Sequence, residues 1–347
     1  MNRRWLIAGL LLLLTVLVLG GVAVYVLRQR AAYEEQVTLP PPAAGGLWDV
    51  LFTTPLRAGM PPAGSSGRLD ERLVGLLDGA QRSVEIAIYD LGLESVADAL
   101  IRAQKRGVLV RLVTDTDNLK NAPLQRVIAA GIPVVDDKRG ALMHHKFAVI
   151  DGGTVVTGAW NFAERDSFRH NNNTVIFRSP ELAANFSNEF AKMFTARKFG
   201  PTKARDVPYP VLSLGETRIE TWFASEQKPV PAIVERLQGA RATIAFMAFS
   251  FTSDALGAAL RERAQAGIGV WGVIETTGSE TAASEYGQLR LLKALAPRLP
   301  FPGCTDGPPV LQDGNPFLLH HKVFVVDERT VIFGSFNFSA NAADDND

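Results

Sequence analysis

HHKFAVIDGGTVVTGAWN, residues 144–161, returns as HHKVFVVDERTVIFGSFN at residues 320–337. Each copy sets a His, a Lys two residues on, an Asp five further, and, after a six-residue spacer, a Gly and an Asn. Phe147 to Ile150 and Val323 to Val326 are continuous apolar runs, as a strand buried on both faces requires. Alternate strand residues share a face, so His144 and Lys146 point one way and His145 the other. Gly152-Gly153 predicts a two-residue hairpin loop. That loop sets Asp151 opposite Thr154, Lys146 opposite Ala159 and His144 opposite Asn161. The second copy, turning at Glu328-Arg329, sets Lys322 opposite Ser335 and His320 opposite Asn337. One face of each hairpin then gathers a His, a Lys and an Asn.

Two Lys charges and two Asn amides suit the non-bridging oxygens of a phosphoryl group as charge builds on it. Two His supply a nucleophile on one side and a general acid on the other. Charge is neutralised without a metal, so no metal and no cofactor are expected. The HH pairs do not read as zinc ligands, because adjacent strand residues face opposite ways. His145 and His321 are expected to pack or hydrogen-bond behind the site.

HxKxxxxD followed by GSxN, present twice, resembles the phospholipase D superfamily over roughly Leu47 to Asp347. The resemblance implies a catalytic set of His144, Lys146, Asp151 and Asn161 with His320, Lys322, Asp327 and Asn337. In it His144 forms a covalent phosphohistidine and His320 protonates the leaving alcohol, roles that near-symmetry allows to be exchanged. Lys146, Lys322, Asn161 and Asn337 hold the phosphate oxygens, supported by Gly158, Gly334 and Ser335. Asp151 and Asp327 fall at strand ends and are assigned to support of the hairpin rather than to proton transfer. Ala159 departs from the pattern, which has Ser there, as Ser335 does in the second copy. Asn172, in the run His170-Asn171-Asn172-Asn173, stands where the family has a carboxylate that orients a catalytic His. An amide accepts from the imidazole N–H but does not stabilise imidazolium by charge. The same run also reads as a plain polar turn.

Around the motifs, helical and strand periodicities alternate. Helices are expected at 70–81, 94–106, 124–130 and 181–194, and strands at 47–53, 83–91, 108–114, 132–135 and 174–177. Gly79, Val84 and Gly107 recur as Gly239, Ile244 and Gly267, a constant offset of 160, while the motif recurs at an offset of 176. The second copy therefore carries 16 extra residues before its motif, many of them expected in the Pro- and Gly-rich loop 299–316. The fold class is α/β: two tandem phospholipase D-like α/β/α sandwich domains, 47–200 and 217–347, related by pseudo-twofold symmetry. Residues 201–216 link them, overlapping a Pro-containing stretch read from 199 to 214, and 217–223 is expected to repeat the opening strand. After Asn337 only ten residues remain, with no counterpart to 174–194. The second domain is expected to be truncated or to have an open sheet edge.

Trp5 to Leu27 holds 23 residues without a charge, long enough to span a bilayer at about 1.5 Å per residue. Residues 1–30 are read as an uncleaved single-pass anchor, N-terminus inside and the catalytic part extracytoplasmic, and 31–46 as a linker. Those 30 residues contain four Arg and no acid. Taken from 36 basic and 36 acidic residues, they leave 32 against 36 for the rest, a balance of −4. That is not the surface of a general nucleic-acid binder. Cys304 is the single cysteine and sits in a Pro/Gly loop, so an intrachain disulfide is excluded. The expected partners are a phospholipid membrane and a phosphodiester substrate, with nucleic acid as an alternative and no obligate protein partner. Phospholipid headgroup hydrolysis ranks first. A metal-independent nuclease on single strands, a cardiolipin-synthase-like transferase and a non-catalytic membrane-tethered binding module follow it.

Overall fold

The computed structural model describes residues 46–55, 69–292 and 309–347. The expected anchor, nearly all of the stalk and most of the loops at 54–68 and 299–316 lie outside these. Among the described residues no helix is long and apolar enough to cross a membrane.

The first half builds a seven-stranded mixed sheet. Its strands are β1 (Trp48–Phe52), β2 (Ser83–Ile88), β3 (Leu109–Thr114), β4 (Val134–Asp136), β5 (Lys146–Ile150), β6 (Thr154–Gly158) and, after the short β7 (His170–Asn171), β8 (Asn173–Arg178). They lie in the order β1-β8-β6-β5-β2-β3-β4. The motif strand β5 is central and buried at every residue. Its side chains divide between two cores. Ala148 and Ile150 join α1 (Leu69–Gly79), α2 (Glu94–Lys105) and α3 (Ala122–Ala129) on one face. After the short α4 (Glu164–Phe168) comes α5 (Pro180–Phe194), which Phe147 and Val149 meet on the other face. This is the three-layer arrangement that an unbroken apolar strand demands.

The second half repeats part of the first. Helix α6 (Val230–Gln238), strand β11 (Thr243–Ala248), helix α7 (Asp254–Gln265) and strand β12 (Gly269–Ile274) answer α1, β2, α2 and β3, in the frame that pairs Gly79 with Gly239. Strands β15 (Lys322–Val326) and β16 (Thr330–Phe333) answer β5 and β6 in the frame of the motif. With β13 (Val310–Gln312), which comes from the segment expected to be loop, they form a five-stranded sheet, β13-β12-β11-β15-β16. Two expectations need correction here. Among the described residues the core of this sheet lies on one face, against α6 and α7, so the second half has two layers and not three. The stretch 217–223 does not open the second sheet either. Strand β10 (Thr217–Glu220) pairs with β9 (Val211–Leu214), inside the expected linker, as a separate hairpin. Its counterpart β1 is held by β8, and among the described residues β16 ends its sheet with no such neighbour.

The motif hairpins are also one residue out of the expected register. Ile150 faces Thr154 and Phe147 faces Thr157, and likewise Val326 faces Thr330 and Val323 faces Phe333. Three residues form each loop, not two. Asp151 and Asp327 take left-handed backbone conformations, with φ of 53° in both. Tertiary hydrogen bonds hold them there. The Asp151 carboxylate accepts from the backbone N–H groups of Gln81, Arg82 and Ser83, and Asp327 accepts from Arg241, Ala242 and Thr243.

Candidate active site

The motif histidines of the two halves meet, each braced by the other half. His144 Nδ1 lies 3.1 Å from the carbonyl oxygen of Ser335, and His320 Nδ1 lies 2.9 Å from Asn172 Oδ1. A two-stranded ribbon, β7 with β14 (Leu318–Leu319), ties the halves together just before His320. The neighbouring histidines point away, as alternation requires. His145 Nε2 meets Glu189 Oε1 at 3.0 Å, and His321 Nδ1 meets Asn173 Oδ1 at 2.8 Å. In each half the Lys folds back on the His carbonyl two residues earlier, Lys146 at 2.9 Å and Lys322 at 2.6 Å. Both ammonium groups sit over an aromatic ring, Lys146 over Tyr89 and Lys322 over Phe249. His144, Lys146, His320 and Lys322 are all more than nine-tenths buried.

Acceptors on both Nδ1 atoms set the tautomer: Nδ1 carries the hydrogen and Nε2 the lone pair. Burial is the largest influence on all four groups and disfavours charge. It pushes His144 well below 6.5, helped by Lys146 and Lys322, and pushes His320 down likewise. Lys146 is drawn down to about 7 by burial against the opposing pull of Asp166, Asp90 and Asp115, and Lys322 is lowered too. A bound phosphoryl anion would favour the charged forms of Lys146, Lys322 and His320, while His144 stays neutral as its attack requires. For both His the folded value lies below the unfolded one. Their contribution to stability is therefore lost as pH falls below 6.5, where the unfolded chain takes up protons first. The expected result in imidazole NMR is that His144 and His320 stay neutral below pH 6 in the free protein, as does His321 with its value lowered to about 4, and that His320 gains a proton when orthovanadate is added. Titration near 6.5 without ligand would contradict the burial argument.

Asn161 does not pair with His144. Its amide donates to Asp166 Oδ1 at 3.1 Å. Asn337 is half-buried, and its Oδ1 has no partner among the described residues. Gly158 admits no side chain, because a Cβ there would lie 2.4 Å from the carbonyl oxygen of Asn173, whereas Gly334 has open space. The structure does not bring Asp151 and Asp327 to the site. Each follows its motif strand at the opposite end from the Lys, about 16 Å away at 3.3 Å per residue. Replacing Asp151 with Ala is expected to lower stability by about 1 kcal/mol, the scale of a lost backbone cap, measured by urea unfolding. A variant as stable as the parent would show that these hydrogen bonds do not support the hairpin.

Several residues at the site carry no motif. Asp166 lies 3.5 Å from both His320 Nδ1 and His170 Nδ1, and its backbone oxygen accepts from Asn172. Asp115 and Glu275, at the ends of β3 and β12, accept the backbone N–H just before each His, from Met143 at 2.9 Å and from Leu319 at 2.5 Å. Tyr89 and Phe249, and Asp115 and Glu275, are paired by the same offset as Gly79 and Gly239, so the repeat frame was the signal that would have found them.

A family model described as "Cardiolipin synthase, PLD-like domain" matches residues 73–194 and 233–347, about two thirds of the chain. A mitochondrial cardiolipin hydrolase of Chlamydomonas reinhardtii is 30% identical over 125 residues, 35% of this chain and 56% of that protein. A phospholipase D of Rickettsia conorii is 34% identical over 128 residues, 36% of this chain and 62% of that protein. The chain thus spans little more than half the length of these curated relatives. The crystal structure of phosphatidylserine synthase from Haemophilus influenzae shares the fold, with a TM-score of 0.55 at 13% identity, over 80% of this chain and 78% of that one.

Proposed function

The chain belongs to the phospholipase D superfamily, and from that membership we propose that it hydrolyses the headgroup phosphodiester of a phospholipid through a phosphohistidine. The observation that carries the reading is the crosswise bracing of His144 and His320 through Nδ1, which leaves both Nε2 atoms without a hydrogen-bond partner among the described residues. His144 Nε2 attacks phosphorus. The bond from phosphorus to the headgroup oxygen breaks, and protonated His320 gives that oxygen its proton. Neutral His320 then takes a proton from water as the water oxygen attacks phosphorus. The P–N bond breaks, and phosphatidic acid leaves with both histidines returned to their starting states.

The assignment of roles rests on Asp166. Its carboxylate is beside His320 and favours imidazolium there, as a general acid needs. His144 has only a neutral backbone oxygen on its Nδ1, which suits a nucleophile. Lys146 and Lys322 supply the positive charge for the non-bridging oxygens. The names of the curated relatives, a cardiolipin hydrolase and a phospholipase D, favour lipid as the substrate. So does the acidic balance of the chain outside its first 30 residues.

The test is headgroup release from mixed micelles by the full chain in EDTA, beside cleavage of single-stranded DNA. Release that survives EDTA is the expected result. DNA cleavage without lipid turnover would replace this reading with a nuclease.

A further inference from the structure

Two side-chain contacts between the halves obey the repeat frame of the motif. From the second half, Asn315 Nδ2 donates to the carbonyl oxygen of Arg169 at 2.8 Å and to Asn171 Oδ1 at 2.6 Å. From the first half, Arg139 donates to the carbonyl oxygen of Asp345 at 2.6 Å and to Asp347 Oδ2 at 3.2 Å. Arg139 and Asn315, Arg169 and Asp345, and Asn171 and Asp347 are each 176 apart, the offset of the two histidines. The same clasp is therefore built twice, with amides in one and an ion pair in the other.

Each clasp stands just ahead of a motif histidine. After Asn315 comes β14, whose two residues pair with the two of β7. His320 N–H then donates to the Asn171 carbonyl oxygen at 2.9 Å, and the next residue, Asn172, meets His320 Nδ1 at 2.9 Å. A parallel ribbon of two residues sets little register by itself. Thr53 and Asp166 fix Asn172 within the first half: its N–H donates to Thr53 Oγ1 and its amide to the Asp166 backbone oxygen. Asn315 ties the same segment to the strand that carries His320. It is held in turn by its Oδ1, which accepts the Phe317 N–H at 3.0 Å. On the other side Leu142, two residues before His144, exchanges hydrogen bonds with Asn346 Oδ1 and the Asp347 N–H, both at 2.9 Å.

We propose that Asn315 is a positioning residue for the general acid: by clasping residues 169–171 it seats Asn172 against His320 Nδ1 and so aims Nε2 at the leaving oxygen. This role rests on the phospholipase reading, in which His320 protonates the headgroup oxygen. When Asn172 withdraws, Nδ1 loses the acceptor that selects its tautomer, and the ring is free to turn. Misplacing a reacting group by about 1 Å costs about 10²-fold in rate.

The experiment uses two phosphatidyl esters that differ in leaving group, one of choline and one of p-nitrophenol. Release is read in the first turnover, with the full chain in excess. Choline departs as an alkoxide unless an acid protonates it, whereas p-nitrophenolate takes the bonding electrons and needs no proton. Asn315→Ala is expected to slow choline release by about 10- to 100-fold and to leave p-nitrophenol release nearly unchanged. Asn315→Asp separates the clasp from the turn, because a carboxylate still accepts from Phe317 but donates to neither Arg169 nor Asn171. It is expected to match Asn315→Ala. Equal slowing of both esters, or normal choline release by Asn315→Asp, would overturn the proposal. If the parent turns over neither ester, the phospholipase reading fails alone, and the clasp is read from ¹⁵N imidazole spectra of the free protein. The parent should hold His320 in the single tautomer protonated at Nδ1, and Asn315→Ala a mixture of the two. One unchanged tautomer would overturn the proposal, whatever the substrate.

Discussion

Replacing His144 with Asn is expected to reduce headgroup release to background, a fall of about 10⁶-fold, because no other group at the site replaces a lost nucleophile. His320→Asn is expected to cost less, about 10²- to 10⁴-fold, the range of a general acid. The two variants should also differ in kind. Without His320 the second step lacks its base, so a phosphoryl group accumulates on His144, stable to alkali and labile to acid. Brief exposure to a ³²P-labelled lipid should leave radioactivity on His320→Asn and none on His144→Asn. The reverse pattern would exchange the roles of the histidines. That result would also contradict the argument from Asp166, which stands 3.5 Å from His320 and has Ala342 in its place on the other side.

The second large effect is one of stability, behind the site. Lys203 is fully buried, and its ammonium contacts Glu189, Glu226 at 3.3 Å and Asp347 at 2.6 Å. His145, on the motif strand, shares Glu189. Replacing Lys203 with Met is expected to cost about 3–5 kcal/mol, because three buried carboxylates then keep only their peripheral cations, Lys192 at 3.3 Å from Glu189 and Arg139 at 3.2 Å from Asp347. Chemical denaturation measures this directly, and a loss under about 1 kcal/mol would mean the cluster is protonated or wet. The acids answer pH in opposite directions. Burial raises Glu189, but Lys203 and His145 outweigh it and hold Glu189 below its usual value. Burial, with Glu189 next, lifts Glu226 to about 8. The closer contact explains the difference: Glu189 takes the ion pair and Glu226 keeps a proton. For a raised carboxyl, stability is present below the unfolded value and lost as pH rises through the folded one. Glu226→Gln should therefore raise the melting temperature at pH 8 and leave it nearly unchanged at pH 4.

The catalytic strand was legible in the sequence because its residues are local. His, Lys and Asp lie within eight residues, and alternation alone separates His144 from His145. The two repeat frames, one set by Gly79 and Gly239 and the other by His144 and His320, match α6, β11, α7, β12, β15 and β16 to their first-half partners, but not β13, which lies in the segment read as loop. The register was not legible. The loop gains a residue because Asp151 is held in a left-handed conformation by N–H groups of Gln81, Arg82 and Ser83, far earlier in the chain, which no local turn rule contains. Asp115, Glu275 and Asp166 were missed for the same reason, since each acts on a His that is remote in the chain. The second half was read as a three-layer sandwich because repetition was carried beyond the elements that repeat, although the same reading found no counterpart to the helix at 181–194.

The crosswise bracing has a consequence for how such a site diversifies. In a symmetric dimer of single repeats, every residue beside one histidine must also stand beside the other. An acid that favours imidazolium at one histidine would then favour it at the other. Two copies in one polypeptide are free of that rule, because Asp166 and Ala342 are separate codons. Covalent fusion thus lets a two-fold framework, with each half still holding the other's histidine, carry an acid beside one histidine alone.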